Sequence, residues 1–403
     1  MRAAPAFCAL LFFSPAAYAI DFDFQGYLDA RAVAATQLRS NLDGGTGLLR
    51  FENDDSTASL HFAEAIGQGH AQVTPDFSAL AVARIAPGQR TLVDFLEAYV
   101  RYRPVSTNPW RWSVKAGAFF PPISLENTEL GWTSYWTLTP SAINSWVGDE
   151  LRTIGGEGTL EWRGESGTLT LMAAAFRWDD PAGVLMADRG WTLNDRPTGL
   201  IDHPREPDMT LIFFGDIPPD HTPMFDEIDG RVGWYAGASW DGSDLGHVEI
   251  IRYDNRANSA AHREDYFAWH TRFWDVGLSR PFGEFMLLSQ AMLGQTTITP
   301  FPGFQSTTDF SAAYALLGWE RGEWRLAGRA ELFATNQENP GIDLPFSEQG
   351  HAFTAAASWL PNDWLRVTGE ILYVSSRRGE RLVVGQNPRP NETQAQISTR
   401  IYF

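Results

Sequence analysis

The chain has 403 residues, 44% of them apolar and 20% charged, with 49 acidic against 31 basic side chains and a net charge of −18. Such a composition excludes a disordered chain, and the negative balance argues against nucleic acid as a partner. A mean hydropathy of −0.24 alongside 16 Trp, 26 Phe and 11 Tyr rules out a bundle of membrane helices but suits a membrane β-barrel, whose strands are apolar on one face only.

Met1-Arg2 opens the sequence, an uncharged run follows from Ala3 to Phe13, and Ala17-Tyr18-Ala19 supplies small residues at processing spacing. Residues 1–19 therefore read as a secretory signal peptide cleaved after Ala19. Cys8 lies within it, so the sequence from residue 20 onward has no cysteine for a disulfide, a thiolate metal site or a nucleophile. Residues 20–403 read as one barrel domain whose first strand begins at once, leaving no N-terminal plug.

From there two-residue alternation dominates. Asp21 to Arg31 alternates polar and apolar side chains, and at the far end Ala395, Ile397, Thr399, Ile401 and Phe403 share one face. Such runs predict strands near 20–37, 57–72, 77–86, 91–103, 111–120, 152–163, 167–178, 231–241, 245–254, 265–281, 284–298, 309–320, 323–336, 350–360, 364–377 and 391–403. Ser141 to Leu151 is the best helical stretch. The fold class is thus all-β, a transmembrane up-and-down antiparallel β-barrel of about 16 strands, with 14 or 18 as the neighbouring even counts.

The connections alternate in length. Tight turns follow the even strands, as at Thr74-Pro75-Asp76, Gly164-Glu165-Ser166, Arg321-Gly322 and Pro361-Asn362-Asp363; longer loops such as 121–151, 179–230, 337–349 and 378–390 follow odd ones. A barrel with both termini at one rim produces this rhythm, with short periplasmic turns and long outer loops. Tryptophans flank the turns (Trp319 and Trp324, Trp359 and Trp364, and Trp110, Trp162 and Trp240), as an interfacial aromatic belt would require. Closure is demanded energetically, because a sheet edge in lipid leaves unpaired backbone groups.

With these features assembled, the chain resembles a Gram-negative outer-membrane porin. Leu96-Glu97-Ala98-Tyr99-Val100-Arg101, then Gly117-Ala118-Phe119-Phe120-Pro121-Pro122 and Leu125-Glu126-Asn127, resemble a pattern in the porin superfamily that includes the phosphate-selective porin O/P group. The resemblance is detailed over residues 91–160 and architectural elsewhere. It implies that terminal Phe403 is read by the outer-membrane assembly machinery, that outer-membrane lipid and lipopolysaccharide surround the wall, and that loop 121–151 folds inward to narrow the lumen. A homotrimer is left open. The group's phosphate site uses lysines, and with Lys115 as the single lysine this chain does not carry it over.

Taking the apolar face of each strand as the lipid side turns Leu96, Ala98 and Val100 outward and Glu97, Tyr99, Arg101 and Arg103 inward. The same rule places Lys115, Arg325, Arg329, Glu331, Arg366, Glu370 and Arg400 in the lumen. Loop 121–151 carries Glu126, Glu129, Asp149 and Glu150 and no basic residue. The expected constriction sets these acids against Arg101, Lys115, Arg325, Arg329, Arg366 and Arg400, creating a transverse field. Loop 179–230, with 12 acids against 3 arginines, reads as a solvated outer loop, although Asp226-Glu227-Ile228-Asp229-Gly230 offers clustered oxygens to calcium. His203, His221, His262 and His270 show no metal-ligand spacing, and neither a His-Glu-x-x-His motif nor a Gly-x-Ser-x-Gly elbow is present. The expected function is a passive diffusion channel for small hydrophilic solutes or ions, with no catalytic residues, cofactor or metal. The alternatives are a secreted all-β glycan-active enzyme using acids such as Asp179-Asp180, or a non-conducting surface receptor or adhesin.

Overall fold

The computed structural model describes residues 20–52, 58–208, 210, 220–243, 245–338 and 347–403. The expected signal peptide, 1–19, lies outside the described residues, as do parts of the loops at 179–230 and 337–349.

Among the described residues, alternation yields β1 (Asp21–Ala35), β2 (Ser59–Thr74), β3 (Phe77–Ile85), β4 (Asp94–Tyr102), β5 (Trp110–Phe119), β6 (Thr153–Arg163), β7 (Gly167–Arg177), β8 (Gly233–Gly242) and β9 (Gly246–Asp254). A short ribbon, β10 (His262–Arg263) and β11 (Tyr266–Phe267), stands in the next loop. There follow β12 (His270–Phe282), β13 (Phe285–Phe301), β14 (Phe304–Arg321), β15 (Trp324–Glu338), β16 (Glu348–Asn362), β17 (Leu365–Arg378) and β18 (Asn391–Tyr402). All but the ribbon pair antiparallel with their neighbours into one closed barrel of sixteen strands. Helices α1 (Ala142–Glu150) and α2 (Val184–Arg189) lie in the third and fourth long connections.

Closure joins β1 to β18, from Tyr27 opposite Tyr402 to Ala35 opposite Gln394. Phe403 extends the seam: the Gly26 amide donates to the Phe403 carbonyl (2.9 Å), and the Phe403 amide donates back to Gly26 (3.0 Å). Gly26 is needed there, since a Cβ would lie 2.6 Å from the Phe403 ring. At the short-turn rim Trp110 pairs with Trp162, and Trp324 with Trp359. The indoles of Trp319 and Trp359 each donate to a turn glutamate, Glu284 and Glu323, at 3.0 Å. Rings that are apolar in body and polar at the tip suit that height.

Three features depart from the sequence expectation. Leu96 does not face lipid. Val82 pairs with Glu97 and Ala83 with Phe95, so Leu96 is the extra residue of a β-bulge. The bulge shifts the alternation by one, and Leu96 is buried inside with Tyr27, Ile66, Val82 and Phe120, while Phe95 takes the outer face. Residues 299–308, expected to be a loop, prolong β13 and β14 into a hairpin turning at Gly303. The largest difference is inside. The lumen faces of β7 to β9 and β12 to β14 carry Phe176, Tyr235, Tyr253, Phe273, Met292 and Phe310, all buried in one cluster with Trp146 and Trp191 from the loops. These strands carry large apolar side chains on both faces, so on this side the barrel encloses a packed core.

The outer face of β15 presents Leu326, Gly328, Ala330 and Leu332, whereas Arg325, Arg329 and Glu331 point inward. Ala330→Arg, close to the middle of that strand, is expected to lower folding stability by about 2–4 kcal/mol, the cost of a cation at mid-bilayer on a barrel's lipid face. Urea-titrated folding into phospholipid vesicles measures it.

Candidate functional site

The third long connection runs into the barrel. Ser141 caps α1, its hydroxyl accepting from the Asn144 amide at 3.3 Å, and every residue of the helix is buried. A buried helix start leaves amides that need acceptors. Two carboxylates supply them: Glu126 accepts from the Ser141 amide (2.6 Å) and the Asn144 side chain (2.8 Å), and Glu331 on β15 accepts from the Ala142 amide (2.8 Å). Both acids also suit the positive end of the helix dipole.

Arg329 joins loop to wall. Its guanidinium donates to Glu126 (3.0 Å), to Glu331 (3.0 Å), and to the carbonyls of Thr139 (2.9 Å) and Pro140 (3.0 Å). Beside it Glu370 on β17 accepts from the amides of Leu138 (2.6 Å) and Thr139 (3.1 Å) and from Gln396 (2.9 Å). Nearer the short-turn rim, Arg366 grips Glu129 with two nitrogens (2.5 and 2.9 Å), a bidentate pair. Arg325 lies 3.5 Å from Glu129, donates to the Tyr135 carbonyl (2.7 Å) and stacks 3.3 Å over the Tyr135 ring.

The remaining expected site residues lie elsewhere. Arg400 pairs with Asp29 on β1 (3.0 Å), and Asp29 also binds Arg31 (2.7 Å) and the Ser398 hydroxyl (2.6 Å). Lys115 binds Glu157 on β6 (3.2 Å) and sits 3.8 Å over the Phe119 ring. Arg101 lies 5.6 Å over the Tyr99 ring on β4. Asp149 and Glu150 turn away from the wall arginines towards the fourth connection: Asp149 pairs with Arg189 and accepts from Asn194 (3.0 Å). Glu150 accepts from the amides of Gly183 (2.5 Å) and Met186 (2.7 Å), filling the cap of α2 that Gly183 has no side chain to fill.

The reading of 179–230 as a solvated loop is corrected accordingly. Residues 179–200 are almost all buried, because α2 and the chain after it enter the lumen against α1 and the aromatic cluster. Asp195 in that segment bridges Arg31 (2.6 Å) and Arg50 (2.9 Å). Residues such as Arg31, Arg50, Asp94 and Asp195 were not singled out from sequence; the inward phase of β1 could have flagged Arg31. Asp180, Glu227 and Asp229 are the described acids near enough for a shared cation. Asp180, however, already accepts from the amides of Ile228 (2.6 Å) and Asp229 (3.0 Å). Towards the short turns the lumen stays wetter, with Gln68, His70, Ser78, Tyr99, Arg101 and Ser113 only half-buried.

No protein-family model matches the chain, and no curated protein matches it in sequence. Solved structures do resemble it. The outer membrane channel DcaP of Acinetobacter baumannii superposes with a TM-score of 0.57 at 10% identity, over 97% of this chain and 99% of that one. In-vitro folded OmpT, an outer membrane protein of Vibrio cholerae, gives 0.54 at 11% over 98% and 100%. The anion-selective porin from Comamonas acidovorans gives 0.52 at 12% over 96% and 100%. At these identities the likeness is one of fold.

Burial raises the Glu150 carboxyl to about 7, against three hydrogen-bond donors that favour its ionised form. Asp179 and Asp149 are also pushed up, chiefly by burial. Burial works to raise Asp195 too, but Arg31 and Arg50 together prevail and hold it at about 2. A carboxyl raised in the folded protein lends stability below the usual carboxylate range and loses it as pH climbs through the folded value. The contact of α1 with α2 should therefore loosen between about pH 4.5 and 7.5. Glu150→Gln, which mimics the protonated acid, should keep it tighter than wild type at pH 8 by about 1–3 kcal/mol. Hydrogen exchange of residues 179–190 at pH 5 and 8, corrected for intrinsic rates, measures the difference.

The fold subtends one location. A closed sixteen-strand wall with an apolar outer surface and tryptophans at its rim, in a fold that resembles these outer-membrane channels and porins, is that of an outer-membrane β-barrel.

Proposed function

We propose that the protein is a passive diffusion channel for small hydrophilic solutes or ions, delivered by a cleaved signal peptide and inserted through recognition of its terminal strand. The observation that carries this reading is the clipping of loop 121–151 across the lumen by Glu126 and Glu129 on Arg329, Arg325 and Arg366. Such an element narrows the barrel and leaves a charged, half-wet wall on the short-turn side. Glu129 and Arg366 stand at the edge of that wet region, retaining 16% and 12% of their side-chain exposure, and Glu126 retains none. Selectivity is accordingly assigned to Glu129, Arg325, Arg366, Arg101 and Lys115, while Glu126, Arg329, Asp149, Glu150 and Arg400 hold the frame.

The likeness to channels and porins supports this reading, and a trimer is the assembly to test, since the Vibrio cholerae OmpT resembling this chain occurs in a trimer form. Phosphate preference is not proposed, because Lys115 is the single lysine and is already paired. Nor is a glycan-cleaving site favoured: Asp179 accepts from the Tyr253 hydroxyl inside the cluster, and Asp180 holds the amides of Ile228 and Asp229, so the two acids do not face a common cleft.

Reconstitution into planar bilayers tests the reading, and steps of conductance without added energy are expected. In a salt gradient, Glu129→Gln should move the reversal potential towards anions, and Arg325→Gln with Arg366→Gln towards cations, by roughly two- to tenfold in permeability ratio. Bilayers that stay silent after verified insertion, both for the wild type and for a variant whose residues 192–201 are replaced by a Gly-Ser run, would exclude a channel.

A further inference from the structure

Residues 191–202 cross the lumen as an extended segment without helix or strand, joined to the first long connection by the isolated bridge of Leu193 with Leu49. One end is fixed near β15 and β16: the Trp191 indole donates to the Ala334 carbonyl (3.0 Å) and its amide to Glu348 (3.0 Å). The other end reaches β3 and β4, where Arg84 donates to the Pro197 carbonyl, the Leu200 amide to Phe95 (2.8 Å) and the Ile201 amide to Asp94 (3.0 Å). In the closed strand order β17, β18, β1 and β2 separate these two pairs on one side and the other eight strands on the far side. Midway, Asp195 binds Arg31 and Arg50, and the Thr198 amide donates to Gly148 of α1 (3.0 Å).

We infer that residues 191–202 form an occluding strap, and that passage through the barrel requires its release. This rests on the channel reading. One cavity between the strap and loop 121–151, lined by Asn127, Thr133, Ser134, Asn144, Asn194 and Asp195 among others, holds about 10 Å³. That is room for about one water molecule and excludes a hydrated ion. Trp191 and Leu193 anchor one end in the aromatic cluster, but from Asn194 onward the fastenings are chiefly polar and their wall partners have reserves. Arg31 keeps Asp29 when Asp195 leaves, Arg50 keeps the Ala63 carbonyl (2.8 Å), and Arg152, which donates to Thr198, keeps the Leu151 carbonyl (2.7 Å). Release therefore exposes paired groups to water and leaves the wall whole. Contact with β4 depends on Gly199, where an added Cβ would lie 2.3 Å from the Asp94 carboxyl carbon.

Because the sequence from residue 20 onward has no cysteine, Ser113→Cys places one reporter thiol on the lumen face of β5, beyond the strap from the outer side. Intact cells are treated with a membrane-impermeant maleimide. Replacing residues 192–201 with a Gly-Ser run of equal length should speed labelling at least tenfold, and Gly199→Val, whose clash falls on the strap, severalfold. Heat-modifiable migration verifies folding of each variant. Unchanged labelling in folded variants overturns the strap. Faster labelling supports it, and bilayers still silent in those same variants would then overturn the channel reading alone.

Discussion

A guanidinium enclosed where protein has displaced water must find acceptors for its five N–H groups, and Arg329 organises the interior by doing so. Its acceptors come from both sides: Glu331 and Thr354 belong to the wall, and Glu126, Thr137, Thr139 and Pro140 to the inserted loop. The loop's own needs are met in return, since Glu331 and Glu370 accept from the amides of Ala142, Leu138 and Thr139. Neither half satisfies its polar groups alone. Removing one partner of a buried set costs more than the pairing itself gains, so wall and loop fix each other's position more firmly than they stabilise the whole.

That mutual requirement divides the lumen. On the side of β7 to β9 and β12 to β14, Trp146 of α1 meets Phe273 (5.4 Å) and Phe310 (5.0 Å), while Tyr253 stacks between Phe176 (5.2 Å) and Phe273 (4.8 Å). Water has no place among such rings, and the cluster behaves as a domain core turned inside a barrel. On the side of β2 to β6 the wall keeps half-exposed polar groups. On the proposed channel reading an aqueous route follows this second side, where Lys115 and Arg101 bear on solute charge together with Glu129 at its edge, whereas the equally ionic Asp29, Arg31 and Arg400 are sealed within the frame.

Much of this was legible in the sequence. Alternation located each barrel strand because a strand half in lipid repeats every two residues, and the inward phase of β15 and β17 correctly turned Arg325, Arg329 and Arg366 to the lumen. The same rule misplaced Leu96, since a bulge inserts one residue and no local composition marks it. It had nothing to say about Phe273 and Trp274, neighbours facing opposite ways, because when both faces are apolar the period carries no direction. Residues 179–200 misled for another reason. Their many acids suggest solvation, but acids such as Asp179 and Asp195 are internal acceptors, and their partners lie far away in sequence on β9 and β1.

The two inserted elements differ in what holds them, and that difference ranks their mobility. Helix α1 is packed among large rings whose separation would expose apolar surface, with no compensating gain from water. Past Trp191 and Leu193, which belong to that cluster, the segment from Asn194 to Asp202 is fastened mainly by carbonyls, amides and one bridging carboxylate, contacts that water can replace nearly one for one. Hydrogen bonds exchanged with solvent contribute little net free energy each, so several can be surrendered together at modest cost while the aromatic core stays intact. A barrel built this way keeps a rigid filter framework and a detachable closure in one lumen. The charge of Asp195 then serves register: with guanidinium groups on either side, it returns the segment to the same place each time it closes.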